Sequence, residues 1–94
     1  MYEIRLTKSF RKSLKRIVRS GQHKSIEDEL IDVLGTISKK HDLPRRYKDH
    51  ALKGEYSGYS ECHLKPDLLL IYQIDTRENV VYAVDIGSHP ELFS

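Results

Sequence analysis

Four side chains in the second half of this 94-residue chain have types suited to proton transfer: His50, His63, Asp67 and His89. His63 and Asp67 stand in Glu61-Cys62-His63-Leu64-Lys65-Pro66-Asp67, a polar strand that breaks at Pro66 and re-enters as Leu68-Leu69-Leu70-Ile71-Tyr72. Proline lacks a backbone donor and fixes φ, and aspartate is a common turn partner, so this stretch reads as strand–turn–strand. His50 lies in Tyr47-Lys48-Asp49-His50 and His89 in Gly87-Ser88-His89-Pro90, each beside a turn-forming residue at an element's edge. Histidine titrates near neutral pH, so two of them at one sheet rim can serve as base and acid in a single cycle. Taken singly, each reads more readily as a structural residue than as a catalytic one. His23 and His41 fall in helix-flanking loops without a partner motif and read as surface residues.

Other chemistries compete for the same side chains. Histidines with a carboxylate are common metal ligands, but no His-x-His pair and no His-Glu-x-x-His occurs. Ser88 lies beside His89 without the glycine pattern of a nucleophile elbow. Cys62 alternates onto the core face of its strand, which disfavours a thiol nucleophile, and as the only cysteine it excludes a disulfide framework and a thiolate zinc cage.

The elements that must position these groups follow from periodicity. Tyr2 to Thr7 alternates bulky and polar residues, a short half-buried strand. Thr7 or Ser9 caps a helix whose apolar stripe is Phe10, Leu14, Ile17 and Val18 and whose end is Gly21. Ser25-Ile26-Glu27-Asp28 reads as a capping-box variant opening a second helix with the stripe Ile26, Leu30, Val33, Leu34 and Ile37, and Lys39 and Lys40 suit its last turn. From Leu43-Pro44 to Gly58 runs a loop, long for a small domain. Three strands follow, 59–65, 68–74 and 80–86, with a turn over Thr76-Arg77-Glu78-Asn79 and a tail, Glu91-Leu92-Phe93-Ser94. Along the first of these, Tyr59, Glu61 and His63 share one face, and Ser60, Cys62 and Leu64 the other. The order β-α-α-β-β-β makes one α+β domain, a helical hairpin packed on a small, mostly antiparallel sheet.

Length and 38% hydrophobic content fit that single domain, and no run approaches the roughly 20 apolar residues of a membrane span. No signal-peptide pattern opens the chain, so a cytoplasmic location is expected. Net charge is only +2, but its distribution is uneven. From Arg5 to Lys24 the chain carries eight cations, among them Lys8, Arg11, Lys12, Lys15 and Arg16, and no acid. A second basic stretch includes Lys48 and Lys53. This asymmetry suits a nucleic-acid surface on the first half, or else two solvated helix faces.

Tyr47-Lys48-Asp49-His50-Ala51-Leu52-Lys53-Gly54, then Glu61 to Asp67, then Leu70-Ile71-Tyr72, then Gly87-Ser88-His89-Pro90-Glu91-Leu92-Phe93, together resemble the YafQ branch of the RelE/ParE toxin superfamily. The resemblance implies the toxin of a type II toxin–antitoxin pair, cutting mRNA in the ribosomal A site without metal or other cofactor. The 2′-hydroxyl would attack the adjacent phosphate, leaving a 2′,3′-cyclic phosphate and a 5′-hydroxyl. His50, His63, Asp67 and His89 would be the active-site residues, with His89 as general acid, His50 or His63 as base and Asp67 orienting or charging a histidine. Phe93 would stack on a base or shape the site. Lys53 or Lys65 would neutralise the phosphate, and the basic helices would meet ribosomal RNA. The implied partner is an antitoxin of the ribbon-helix-helix, DinJ/RelB kind, through which alone the pair would bind operator DNA. A non-enzymatic binding module of the same fold, such as a gyrase-directed relative, is the other function open to this chain.

Overall fold

The computed structural model describes residues 1–93 and is α+β, as expected. The strands are β1 (Glu3–Leu6), β2 (His50–Ala51), β3 (Ser60–Lys65), β4 (Leu68–Asp75) and β5 (Val80–Gly87), and the helices α1 (Lys8–Ser20), α2 (Ile26–Ser38) and α3 (His89–Phe93). They build one five-stranded sheet in the order β1-β5-β4-β3-β2. All neighbours are antiparallel except β1, which runs parallel to β5. That crossover is what requires a helical connection between the strands.

Each helix forms where its local chemistry permits. Thr7 caps α1: its hydroxyl oxygen accepts from the Phe10 amide at 3.0 Å while its proton goes to the Val84 carbonyl at 2.7 Å. Gly21 closes α1 in the left-handed region, φ 69°, where a side chain would be strained. The α2 stripe is buried along its whole length, Ile26, Leu30, Val33, Leu34 and Ile37 lying with Phe10 and Ile17 against Cys62, Leu70, Val81 and Ile86 of the sheet. Leu70 and Cys62 are opposite each other on β4 and β3, so this face of the sheet is the core face.

Several expectations need correction. β1 is exposed at all four positions, as an edge strand beside β5 alone can be. Val18 faces solvent, because Leu14 and Ile17 fill the narrow stripe of α1. Ser25 adopts φ 61° and makes no side-chain cap; the favourable charge at the start of α2 comes from Glu27, Asp28 and Glu29 instead. Lys39 is the residue after α2 rather than its last turn, and Lys40 lies beyond it with φ 63°. The stretch expected as a loop contains 3-10 turns at Arg45–Tyr47 and Gly54–Tyr56 and the two-residue β2 between them. The tail to Phe93 is helix, and Ser94 lies outside the described residues.

Because Thr7 both caps α1 and ties it to β5, Thr7→Ala should lower stability by roughly 1–2 kcal/mol with the fold retained. A shift of the urea midpoint at unchanged slope is the expected reading; no shift would mean the cap is redundant.

Candidate active site on the sheet rim

β3 carries the centre of the site. Its alternation sends Cys62 and Leu64 into the core and turns Glu61 and His63 to the opposite face, as the sequence phase anticipates. Cross-strand partners share a face, so Glu61 stands over Ile71 and His63 over Leu69, two buried residues that lie outside the main core cluster. On the other side, β2 brings His50 directly opposite Glu61. The Glu61 carboxylate is 7% exposed, and its Oε1 lies 3.1 Å from His50 Nε2 and 3.8 Å from His63 Nε2. His50 Nδ1 donates to the Lys48 carbonyl at 2.7 Å. An acceptor oxygen therefore faces each nitrogen of the His50 ring. His63 keeps the longer, looser approach to the carboxylate and is the freer of the two.

The segment that delivers His50 is tied down at three places. Tyr72, buried on β4, donates its hydroxyl proton to Asp49. Leu52 donates its amide to the Tyr59 carbonyl at 2.8 Å, and Lys48 turns its carbonyl toward His50 from a left-handed φ of 48°. Strain of that kind is tolerated where surrounding contacts fix the backbone. Burial, and then the hydrogen bond to Asp49, push the Tyr72 hydroxyl far above the ordinary phenol range. Burial likewise pushes the Cys62 thiol up to about 12, so the thiol is inert near neutral pH.

α3 carries the second cluster. β5 ends at Gly87, which pairs with Leu69, which in turn pairs with His63. Two strand spacings, roughly 10 Å, therefore separate the His63 backbone from Gly87, two residues before α3 begins. Ser88 and Glu91 form a reciprocal capping box: the Ser88 amide donates to Glu91 Oε1 at 2.8 Å, and the Glu91 amide donates to Ser88 Oγ at 3.3 Å. A Cβ at Gly87 would meet Glu91 Oε1 at 3.2 Å, so glycine lets the helix close onto the strand. One turn of helix then packs the His89 ring against Phe93, centroids 5.0 Å apart, and Phe93 meets Tyr56 edge to face at 5.1 Å.

Asp67 is placed elsewhere. It is exposed in the Pro66–Asp67 turn and lines a cleft of about 350 Å³ with Arg16, His23, Ser88 and Glu91. Among the described residues it makes no ion pair or hydrogen bond. The carboxylate that lies against the histidines is Glu61, not Asp67. Two expected RNA-contacting cations are also engaged within the protein: Arg16 pairs with Glu91 at 3.2 Å and Lys65 with Glu29 at 3.1 Å. Lys8, Arg11, Lys12, Lys15, Lys48 and Lys53 are exposed, and Lys12, Lys15, Arg16 and Arg19 wall a shallow concavity of about 500 Å³ along α1. Sequence reasoning missed Glu61 and Tyr56. The first was signalled by its place two residues before His63 on a strand, the second by no local pattern.

The model of a family described as the bacterial YafQ toxins of type II toxin–antitoxin systems matches residues 2–94. The chain belongs to that family. The Escherichia coli K12 mRNA interferase toxin YafQ is 39% identical over 51 residues, 54% of this chain and 53% of that one, so the alignment spans about half of each. A metal-bound toxin from Helicobacter pylori is 45% identical with a TM-score of 0.90, covering 99% of this chain and 100% of its own. YafQ in the E. coli DinJ–YafQ toxin–antitoxin complex is 26% identical with a TM-score of 0.84, covering 99% and 98%. As a YafQ-family member the chain is a toxin of a type II system. Among its described residues, no group of three or more His, Cys, Asp or Glu side chains is arranged to hold a metal ion, and no helix is long and apolar enough to cross a membrane.

The raised thiol and phenol both tie alkaline stability to the core. The unfolded chain loses these protons first, so stability should be flat below about pH 9 and fall as pH rises toward 12. Correspondingly, Cys62 should resist a thiol reagent at pH 8 until denaturant is added; rapid labelling of the native protein would contradict its burial.

Proposed function

We propose that this toxin is a ribosome-dependent endoribonuclease that cuts mRNA in the A site by acid–base chemistry. The observation that carries the reading is the pair of histidines held on one buried carboxylate, with a third histidine at the same sheet rim. His63 removes the proton from a ribose 2′-hydroxyl, and the freed oxygen attacks the adjacent phosphorus. The bond from phosphorus to the 5′-oxygen of the next nucleotide breaks as His89 protonates that oxygen. The products are a 2′,3′-cyclic phosphate and a 5′-hydroxyl, and no protein nucleophile is needed. His50, held between the Lys48 carbonyl and Glu61, fixes that carboxylate beside His63. Phe93, supported by Tyr56, offers a face for a nucleobase. Asp67 sits one cleft away, where it can bear on substrate beside α3 rather than on a histidine. Lys8, Arg11, Lys12 and Lys15 supply the electrostatic attraction to RNA phosphates, with Lys53 nearer the site.

The partners follow from the same picture: mRNA and the ribosome as targets, and an antitoxin that holds the toxin inactive in the cytoplasm. The antitoxin's seat is the apolar groove between α1 and α2, floored by Ile4 and Leu6 and flanked by Ile31, which is 69% exposed. Basic α1 and acidic α2 form its two banks, matching an amphipathic helix with charges of both signs. Ile31→Asp should weaken antitoxin binding at unchanged thermal stability; an unaltered complex would place the antitoxin elsewhere.

His89→Ala should cost roughly 10²–10⁴ in cleavage rate with the fold intact. Primer extension on stalled ribosomes, with and without EDTA, is the measurement. Full activity of the variant would remove His89 from the mechanism, and cleavage abolished by EDTA would replace this mechanism with a metal-dependent one.

A further inference from the structure

A second cleft, of about 350 Å³, opens on the far side of His63, and the mechanism above leaves it unused. It is walled by His63 and Lys65 of β3, by Arg46, Tyr47 and Lys48 of the first 3-10 turn, and by Glu29 of α2. Its charges are organised. Tyr47 is buried, donates its hydroxyl proton to Glu29 Oε2 at 3.3 Å and accepts from Arg46 Nη2 at 3.1 Å. The Arg46 guanidinium lies 4.6 Å above the Tyr47 ring, so that face of the ring is already covered. Glu29 Oε1 is buried, lies 3.1 Å from Lys65 Nζ as an ion pair and, among the described residues, accepts no hydrogen bond. Among the described residues neither Arg46 nor Lys48 has an acidic partner. Two uncompensated cations thus face a cleft that has a histidine of the site as one wall. Moreover, Lys48 is the residue whose carbonyl orients His50, so the turn that fixes the site also presents these charges.

We propose that this cleft binds a phosphate of the RNA strand next to the scissile one, held by Arg46 and Lys48, with Glu29 tempering the charge of Lys65. The proposal rests on the ribonuclease reading for its substrate and adds a subsite to it. A planar fork with several donors suits a phosphate's oxygens better than a lone ammonium does, and its stacking on Tyr47 limits the freedom it loses on binding. A nucleobase is disfavoured, because the aromatic face available for stacking is occupied by the guanidinium.

The test is equilibrium binding, by fluorescence anisotropy, of a short single-stranded RNA whose ribose at the cleaved position is 2′-deoxy, so that it cannot be cut. Arg46→Ala should weaken binding roughly tenfold or more and lower the slope of log affinity against log salt by about 0.7. Arg46→Lys should recover the slope. Glu29→Gln keeps an acceptor for Tyr47 and releases Lys65, so it should tighten binding; a nucleobase read through Glu29 would instead be bound more weakly by this variant. Replacing one linkage at a time by an uncharged methylphosphonate should abolish the difference between wild type and Arg46→Ala at a single linkage. Absence of RNA binding, equal affinity of Arg46→Ala, or weakening by Glu29→Gln each overturns the phosphate subsite. Cleavage of the all-ribose RNA on ribosomes by the same preparations is read in parallel: wild type that binds with this pattern but never cuts would overturn the nuclease reading and leave the subsite standing.

Discussion

A carboxylate buried beside two imidazoles is the constraint on which this molecule's working surface depends. Removing Glu61 from water is costly unless opposite charge or hydrogen-bond donors replace the solvent, and among the described residues the groups that approach it are His50 and His63. His63 is already fixed by β3. His50 has to be brought in by a segment with little regular structure, and the two-residue strand β2 exists because its pairing places His50 opposite Glu61. The contacts at Glu61 and the backbone order around His50 therefore support each other. Tyr72 reinforces them from the core side by holding Asp49, so a buried strand, a polar loop and a histidine ring are linked in series. Loops without such ties lie at the low-stability end of a protein, and this one has been given several.

The other half of the rim is held by different physics. α3 is a single turn, far too short to be stable by helix propensity. Its cohesion comes from the capping box between Ser88 and Glu91, from the close approach that Gly87 permits, and from the Arg16–Glu91 pair, which connects it to α1. The pair is exposed and worth little in stability. Its consequence is positional, because the most basic helix and the turn bearing His89 share a link. The Tyr56–Phe93–His89 contacts then join α3 to the loop that carries His50, which closes the rim into one surface.

The fold was legible in the sequence wherever burial is strong and local. The α2 stripe, the strands 59–65, 68–74 and 80–86, the Thr7 cap and the Gly21 terminus match the structure to within a residue at most boundaries. What escaped was created by long-range pairing. Two residues cannot show a strand's alternation, so β2 reads as loop until Glu61 is placed opposite it. α3 was hidden by Gly87 and Pro90, which read as breakers, although Ser88-x-x-Glu91 is a cap pattern and proline is tolerated in a helix's first turn. For the candidate site, type and motif singled out His50 and His63, which the structure brings to one carboxylate, and His89 and Phe93, which it stacks together. The resemblance pointed to Asp67 as the site's carboxylate, whereas the one lying against two histidines in the structure is Glu61. Glu61 and His63, at i and i+2, lie on the same side by the pleat, whereas Asp67 follows a β-bulge that breaks the register between His63 and Lys65.

Charge is the level at which sequence reading is least sufficient here. Counting cations along the chain makes Arg16 and Lys65 equal to Lys12 and Lys48, yet the first two are compensated by Glu91 and Glu29 and the others are not. A compensated cation adds little to long-range attraction for RNA, since the field it would project is cancelled within a few ångströms, well inside the Debye length of about 8 Å at physiological salt. The attractive surface is therefore narrower than the basic stretches suggest: the outer face of α1, which leads toward α3, and the turn around Arg46 and Lys48 beside His63. Only the second of these borders a histidine of the rim, His63.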